Sequence, residues 1–85
     1  MSFAVHLANR AGKGLRGLPA ADRERIFKAL EEMEADPLAG DVVKLKGTDT
    51  FRRRVGNYRI VFGIDEIEGA VLVMDILRRS TTTYR

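Results

Sequence analysis

The sequence contains no cysteine, only two prolines and no long hydrophobic run. Without cysteine the chain can form neither a disulfide framework nor a thiolate metal site, which agrees with a cytoplasmic location. The N-terminus, MSFAVHLANR, lacks the basic start and long apolar stretch of a signal peptide. No segment reaches the roughly 18 apolar residues that a membrane-spanning helix needs. We therefore expect a cytoplasmic protein that does not bind membranes.

Motifs for cofactors, metals and nucleophilic catalysis are also missing. The sequence has no GxxxxGK[ST] phosphate loop and no Ser-His-Asp set. His6 is the only histidine, and it lies in an apolar segment without a second histidine or a cysteine to share a metal. A structural role is therefore expected for His6, and neither a metal nor a cofactor is expected.

Length and charge indicate one small domain with an uneven surface. The 85 residues are expected to form a single domain, residues 1–85, with one modest core. The net charge is only +3, but residues 22–36 carry six acids against three bases, whereas residues 44–59 carry six bases against Asp49 alone. This asymmetry favours a polyanionic partner. The alternative is that basic strands only protect exposed sheet edges from pairing.

The N-terminal segment predicts a strand followed by a helix. Apolar residues alternate in FAVHL, which predicts a strand over residues 2–7. Asn9 is expected to cap the first helix, which three glycines weaken. The expected inward residues of this helix are Ala8, Ala11, Leu15 and Leu18.

A second helix is predicted from Ala20 to Ala35. Pro19 suits its start, and Asp36 is pushed out of helical geometry by the proline that follows it. The expected inward stripe consists of Ile26, Phe27, Leu30 and Met33.

From residue 42 onward the hydrophobic pattern is that of strands. The segment of residues 42–45 is short, and its pattern is compatible with either a strand or an extended loop. Longer strands are predicted over residues 51–55, 58–64 and 70–77, with GN at 56–57 as a two-residue hairpin turn and DEIEG at 65–69 as a longer one. The order β-α-α-β-β-β predicts an α+β fold, with two N-terminal helices packed on one face of a small, mainly antiparallel sheet.

The GN turn determines which residues face each other in the hairpin FRRRVGNYRIVF. It places Arg54 opposite Arg59 and Phe51 opposite Phe62. Because side chains alternate between the two faces of a sheet, one face is apolar apart from Arg53. The other face carries Arg52, Arg54, Arg59 and Val61. Since the apolar face packs under the helices, three arginines are expected together on the open face.

Arginines that face each other on a sheet repel, so this arrangement needs an explanation. Asp75 on the next strand is able to neutralise one of them, but a single carboxylate cannot balance three guanidinium groups. A phosphate matches the planar guanidinium geometry. We therefore expect an anion site at the three open-face arginines. Arg53 is expected to snorkel to the sheet edge, because its neighbours face the core.

The tail LRRSTTTYR adds further candidates. Arg78 and Arg79 are expected just past the last strand, where they close the basic groove. Tyr84 either covers the margin of the core or stacks on a nucleic-acid base, which contributes roughly 1–3 kcal/mol in single-stranded sites. The sequence leaves both roles of the tyrosine open.

Three segments together resemble the RelE/ParE toxin superfamily of bacterial toxin–antitoxin systems. They are LPAADRERIFKALEEMEADPLAGDVVKLKG, FRRRVGNYRIVFGID and the basic segment ending in YR, so the likeness covers nearly the whole chain. The family's fold, a small antiparallel sheet with two N-terminal helices, agrees with the predicted elements. RelE-like members cleave mRNA in the ribosomal decoding site, whereas ParE-like members inhibit DNA gyrase.

The resemblance also implies site residues. RelE-like enzymes have basic residues on the central hairpin, an arginine in a G-Y-R-like motif, an arginine after the last strand and a C-terminal tyrosine. The residues implied as catalytic are Arg54, Arg59, Arg78 and Tyr84. The motif also includes Arg52 on the hairpin. Together with Lys44, Lys46 and Arg79 of the basic segments, Arg52 is expected to bind RNA phosphates. The chain departs from this pattern in two ways. Leu77 lies where many relatives have a Gly-His or Gly-Lys pair before the arginine, and the hairpin positions that are often lysine in the family are arginine here. The variable tail spacing also leaves open which of Arg78 and Arg79 fills the arginine position.

The resulting hypothesis is a toxin that cleaves mRNA at the ribosome and has an antitoxin protein as its cognate partner. The 2′-hydroxyl attacks the adjacent phosphate, the arginines stabilise the developing charge, and Tyr84 orients a base or transfers a proton. Arginine stays protonated, with a pKa above about 12, and is a poor general base. The alternatives are a non-enzymatic DNA gyrase inhibitor, and a relative that has lost toxicity and only binds its antitoxin.

Overall fold

The computed structural model of the protein describes residues 2–78, which form five strands and two helices. The strands are β1 (Ala4–Leu7), β2 (Val42–Lys44), β3 (Thr50–Val55), β4 (Tyr58–Asp65) and β5 (Ala70–Arg78). The helices are α1 (Asn9–Arg16) and α2 (Ala20–Ala35). The predicted α+β fold is confirmed, and the segment that the sequence left open between strand and loop is strand β2.

The strands form one mixed sheet in the order β1-β5-β4-β3-β2. β1 pairs with β5 in parallel, and the other three pairs are antiparallel. β1 covers only the first half of β5, from Ala70 to Val73. The backbone N–H of Ala8, between β1 and α1, donates to the carbonyl of Val73 at 2.8 Å and places the start of α1 beside the point where β1 stops covering β5. Helix α1 therefore runs beside the part of β5 that β1 leaves uncovered.

The core lies between the two helices and one face of the sheet. Helix α1 contributes Ala11 and Leu15, and α2 contributes an apolar stripe. Helix α1 lies so close to β5 that a Cβ on Gly14 would be 2.8 Å from the carbonyl oxygen of Ile76, so the contact requires glycine. The sheet residues buried in this core are Tyr58, Ile60, Phe62, Val71, Val73 and Ile76.

The bounds of α2 match the prediction, with Pro19 at its N-cap position and Asp36 directly after its last turn. The prediction that Phe27 faces the core is wrong, because its side chain is 50% exposed. The buried stripe is Ile26, Ala29, Leu30 and Met33. This stripe follows the i, i+3, i+4, i+7 spacing of one helix face, and Phe27 lies beside that face.

The start of the chain differs from the prediction in two details. β1 begins at Ala4 rather than at residue 2. Asn9 is not the cap of α1, because Ala8 occupies the N-cap position in extended geometry and none of the described side chains caps the helix. Neither helix within residues 2–78 is long and apolar enough to cross a membrane.

The prediction that Arg53 snorkels to a sheet edge is also wrong. β3 lies between β2 and β4, and Arg53 is only 8% exposed. Its guanidinium group forms an ion pair with Glu32 of α2 and donates to the carbonyl of Ala29 at 3.4 Å. Gly40, with φ of 85°, packs against the same group. Arg53 therefore joins the sheet to α2 and does not belong to the open face.

Candidate functional site

The hairpin of β3 and β4 has the predicted turn and register. Gly56 has φ of 57°, and Asn57 has no positive φ, the pattern of a type II′ turn. Val55 lies opposite Tyr58, and Arg54 lies opposite Arg59. Because directly opposed residues share a face, the two arginines project side by side.

The face of the sheet opposite the core carries these arginines in two adjacent rows. In the row nearest the turn, Arg54 and Arg59 are followed on β5 by Leu77. In the next row, Arg52 is followed by Val61 and Asp75. We name Arg52, Arg54 and Arg59 the arginine face. The side chain of Arg54 is 42% exposed and that of Arg52 is 18% exposed. Arg54 and Arg59 are therefore accessible to solvent, whereas Arg52 is mostly buried.

Carboxylates neutralise the arginine face only in part. Asp41, just before β2, lies 3.8 Å from Arg52 and 4.0 Å from Arg54. Within residues 2–78, no carboxylate lies within 4.0 Å of Arg59. One carboxylate is thus shared by two of three arginines, and the face keeps a positive charge.

Asp75 pairs with a partner that the sequence did not suggest. Its carboxylate lies 3.2 Å from Nε of Arg10 on α1, and its other oxygen accepts from the backbone N–H of Ile76 at 2.9 Å. Asp75 therefore forms its ion pair with Arg10 and not with a hairpin arginine. Asp41 pairs with the hairpin arginines instead, and sequence reasoning missed it because a residue outside the predicted strands carries no periodic signal.

Arg78 lies in β5 rather than beyond it, and it pairs with Tyr58. Tyr58 is buried on the core side, so Arg78 belongs to the opposite face from Arg54 and Arg59. All three lie at the turn end of the sheet, but the structure does not bring Arg78 onto the arginine face. Arg79 and Tyr84 lie outside the described residues.

Lys44 and Lys46 are separate from the arginine face as well. Lys44 pairs with Phe51, three residues along β3 from Arg54, which corresponds to about 10 Å of strand. Its ammonium group lies 4.0 Å from Asp49. Lys46 is exposed in the loop that follows β2. The two lysines therefore lie toward the other end of the sheet.

The single histidine is also distant from the arginine face. His6 is exposed in β1 and pairs with Leu72 of β5, so β5 lies between it and β4. In the part of the chain that the structure describes, no group of three His, Cys, Asp or Glu side chains is placed to hold a metal.

Arg25 of α2 is a further cation at the turn end of the sheet. Its Nη1 atom would lie 2.9 Å from a Cβ on Gly56, so its guanidinium group packs against the hairpin turn. Sequence reasoning missed Arg25 because only the packing of α2 across the sheet brings the helix to this turn. Arg25 and Arg78 lie on the core side of the sheet near the turn, whereas Arg54 and Arg59 lie on the open side.

Tyr58 links this end of the sheet to α2. Its hydroxyl donates to a carboxylate oxygen of Asp22 at 2.8 Å. This hydrogen bond raises the pKa of Tyr58 above its ordinary value of 10.0, burial and the charge of Asp22 raise it further, and Arg78 acts in the opposite direction. The fold therefore favours the protonated phenol.

Replacing Tyr58 with phenylalanine is expected to make stability less sensitive to alkaline pH. Above about pH 10 the unfolded chain loses the phenol proton while the folded chain keeps it, so the free energy of unfolding falls as pH rises. Below pH 10 this contribution is fully present. The stability advantage of the wild type over Tyr58→Phe should thus shrink as the pH rises from about 10 to about 11.5 in urea unfolding. A constant difference across that range would contradict the role of the hydrogen bond.

A family model supplies the first comparison with known proteins. Residues 5–82 match the model of the ParE toxin of the type II toxin–antitoxin system parDE. The match includes all seven helices and strands of the described residues except the first residue of β1. It therefore extends over nearly the whole fold.

Individual relatives agree with this match. The chain is 26% identical over 83 residues to the RelE1 protein of Methanocaldococcus jannaschii, covering 93% of this chain and 92% of that protein. RelE in the archaeal RelE–RelB complex from Pyrococcus horikoshii superposes with a TM-score of 0.85 at 26% identity, covering 96% of this chain and all of that one. The isolated RelE toxin of E. coli gives a TM-score of 0.83 at 24% identity, covering 95% and 88% of the two chains, which shows the shared fold.

Proposed function

The chain belongs to the RelE/ParE toxin family of type II toxin–antitoxin systems, and from this premise we propose that it is a ribosome-dependent mRNA endonuclease. The observation that carries the proposal is Arg54 opposite Arg59 on an exposed face. Facing cations destabilise a sheet, whereas an RNA phosphate binds both guanidinium groups. The carboxylate of Asp41 lies 4.0 Å from Arg54, so one of these two guanidinium groups already has an oxyanion as its neighbour.

In the proposed reaction the nucleophile is the 2′-hydroxyl of the RNA, and the protein holds the phosphate that it attacks. The 2′-oxygen forms a bond to the adjacent phosphorus, the bond from phosphorus to the 5′-oxygen breaks, and the 5′-oxygen receives a proton. Arg54 and Arg59 stabilise the extra negative charge of the transition state. Both side chains project from neighbouring strands of a sheet, so the backbone already holds them side by side when the phosphate arrives.

Proton removal from the 2′-hydroxyl requires a group other than arginine. A guanidinium group, with a pKa above about 12, does not accept a proton at neutral pH. We assign base stacking and proton transfer to Tyr84, with ribosomal groups as further contributors. Arg78 contacts the message only if the RNA crosses the turn end of the sheet, where Arg25 would meet it as well. Arg79 and Lys46 serve as outer phosphate contacts in this proposal.

The proposed protein partner is a cognate antitoxin. RelE of Pyrococcus horikoshii and RelE of E. coli have each been seen in complex with RelB. An acidic antitoxin segment complements the positive charge of the arginine face. Antitoxin and message would then compete for Arg54 and Arg59, so a bound antitoxin would prevent cleavage of the message.

Inhibition of DNA gyrase is the second candidate function. It is favoured by the family model that matches residues 5–82, which describes ParE toxins. In that case the arginine face would bind a protein surface, and no bond in RNA would be broken. The two functions differ in substrate and in the need for ribosomes, so one set of reactions separates them.

The decisive experiment incubates the purified chain with a defined mRNA, with and without purified ribosomes, beside a DNA supercoiling reaction by gyrase. We expect cuts at defined positions that need ribosomes, and unchanged supercoiling. Intact message together with blocked supercoiling would overturn the endonuclease in favour of the gyrase inhibitor. Intact message and active gyrase would indicate a relative that only binds its antitoxin.

A further inference from the structure

Helix α1 presents a second basic surface, separate from the arginine face. Its eight residues contain three cations and no acid. Arg10, Lys13 and Arg16 follow each other at intervals of three, so they lie along one side of the helix. The opposite side buries Ala11 and Leu15 in the core. All three cations are exposed.

These cations converge instead of spreading apart. The Nη1 atom of Arg16 folds back to within 3.3 Å of the position of a Cβ on Gly12, which lies between Arg10 and Lys13 in the sequence. The same three cations and Gly12 line one surface cavity. Within residues 2–78, the only carboxylate within 4.0 Å of any of them is Asp75, which pairs with Arg10. Lys13 and Arg16 therefore bring positive charge to this cavity without a counter-charge among those residues.

Folding requirements explain this pattern only in part. The dipole of α1 favours cations in its last turn, where Lys13 and Arg16 lie, but it disfavours a cation in the first turn, where Arg10 lies. Three cations around one cavity also repel each other. A bound polyanion would compensate for both effects.

The basic surface of α1 is continuous with the arginine face. Asp75, the partner of Arg10, shares a row of the sheet with Val61 and Arg52. Helix α1 also lies against the half of β5 that β1 leaves uncovered, as the contact of Gly14 with Ile76 shows. The Arg10–Asp75 pair therefore forms the border between the two surfaces, so RNA bound at one surface lies next to RNA bound at the other.

We propose that Arg10, Lys13 and Arg16 bind the phosphate backbone of ribosomal RNA while the arginine face holds the message. This inference rests on the proposed function. Among residues 2–78, the cavity is lined by three cations and by no aromatic side chain, which suits phosphates rather than base recognition. Arg10 to Arg16 extend over about 9 Å of helix, which is long enough to contact successive phosphates of a folded RNA. Contacts of this kind position the toxin and leave the chemical step to Arg54 and Arg59.

The test replaces Lys13 and Arg16 together with glutamine, which leaves the Arg10–Asp75 pair intact. At about 0.15 M salt the dissociation constant for purified ribosomes should rise about 10-fold, and the slope of log affinity against log salt should fall by about two. The cleavage rate at saturating ribosomes should not change. The matched control is Lys28→Gln, because Lys28 is an exposed lysine on the outer side of α2. This control should bind ribosomes as the wild type does.

The outcomes separate this inference from the proposed function. If the wild type cleaves and the double variant binds ribosomes as tightly as the wild type, the inference is overturned. The same holds if the double variant keeps ribosome affinity but loses a co-purifying acidic antitoxin, since the surface then serves a protein. If the wild type binds ribosomes without cutting the message, the proposed function fails, and a weaker Kd of the double variant still supports the inference. A wild type that does not bind ribosomes overturns both.

Discussion

Replacing Arg59 with alanine is expected to lower the rate of ribosome-dependent mRNA cleavage by about 10²–10³-fold. Losses of this size follow the removal of one preorganised donor from a developing transition-state charge. Arg59 is exposed and faces Arg54, so its guanidinium group is available to a phosphate. Single-turnover cleavage of a defined mRNA on purified ribosomes measures the effect on the chemical step.

Two controls separate chemistry from folding. The free energy of unfolding of Arg59→Ala should stay within about 1 kcal/mol of the wild type, because the side chain is exposed and opposes a like charge. Lys28→Ala, which removes an exposed cation from α2, should cleave at the wild-type rate. A folded Arg59→Ala variant with the wild-type rate would remove the arginine face from the mechanism.

The sheet and its open-face arginines were predictable because local signals determine them. The Gly56-Asn57 turn determines the register of β3 and β4, and alternation then assigns every hairpin side chain to a face. The bounds of α2 follow from Pro19 and Asp36, which act through backbone geometry rather than tertiary contacts. These are features that a short stretch of sequence contains in full.

The position of Arg78 was not predictable in this way, because a β-bulge decides it. The register of β4 and β5 shifts between Val61 and Phe62, so that Phe62 pairs with Val73 but Val61 pairs with Asp75. Strict alternation from Val73 would place Arg78 on the arginine face. The extra residue, Met74, reverses the faces beyond it. The buried residues Val73 and Ile76 are three positions apart, whereas strict alternation would put them two apart. This spacing is the sequence signal of the bulge.

Arg53 and Asp41 show the other limit of the sequence. The hairpin pattern assigned Arg53 to the core side correctly, but its partner Glu32 lies 21 residues away on α2 and is seen only when the helix is packed. Asp41 reaches the arginine face because its backbone carbonyl accepts from the N–H of Arg54 at 3.0 Å beside β2. Long-range pairings of this kind depend on the assembled fold.

Removing Glu32 is expected to destabilise the protein more than removing Arg53 does. In Glu32→Ala the guanidinium group of Arg53, in a side chain only 10% exposed, loses its counter-charge, which should lower the free energy of unfolding by about 2–4 kcal/mol. This loss is somewhat smaller than the about 3–5 kcal/mol usual for buried pairs, because Glu32 is 48% exposed and partly hydrated. In Arg53→Met an apolar chain of similar length fills the site, and the freed carboxylate of Glu32 remains in water. That variant should stay within about 1–2 kcal/mol of the wild type.

The comparison is sharpest against Glu31→Ala, which removes the neighbouring exposed carboxylate of α2 and should change stability by no more than about 0.5 kcal/mol. Equal losses in Glu31→Ala and Glu32→Ala under urea unfolding would mean that Arg53 does not depend on its partner. The cleavage assay adds a second contrast, because Arg53 lies on the core side and Arg54 on the open side of the same strand. Folded Arg53→Met should still cut the message at the wild-type rate, whereas Arg54→Met should not. Adjacent arginines of one strand would thus separate into a residue that holds the fold and a residue that holds the RNA.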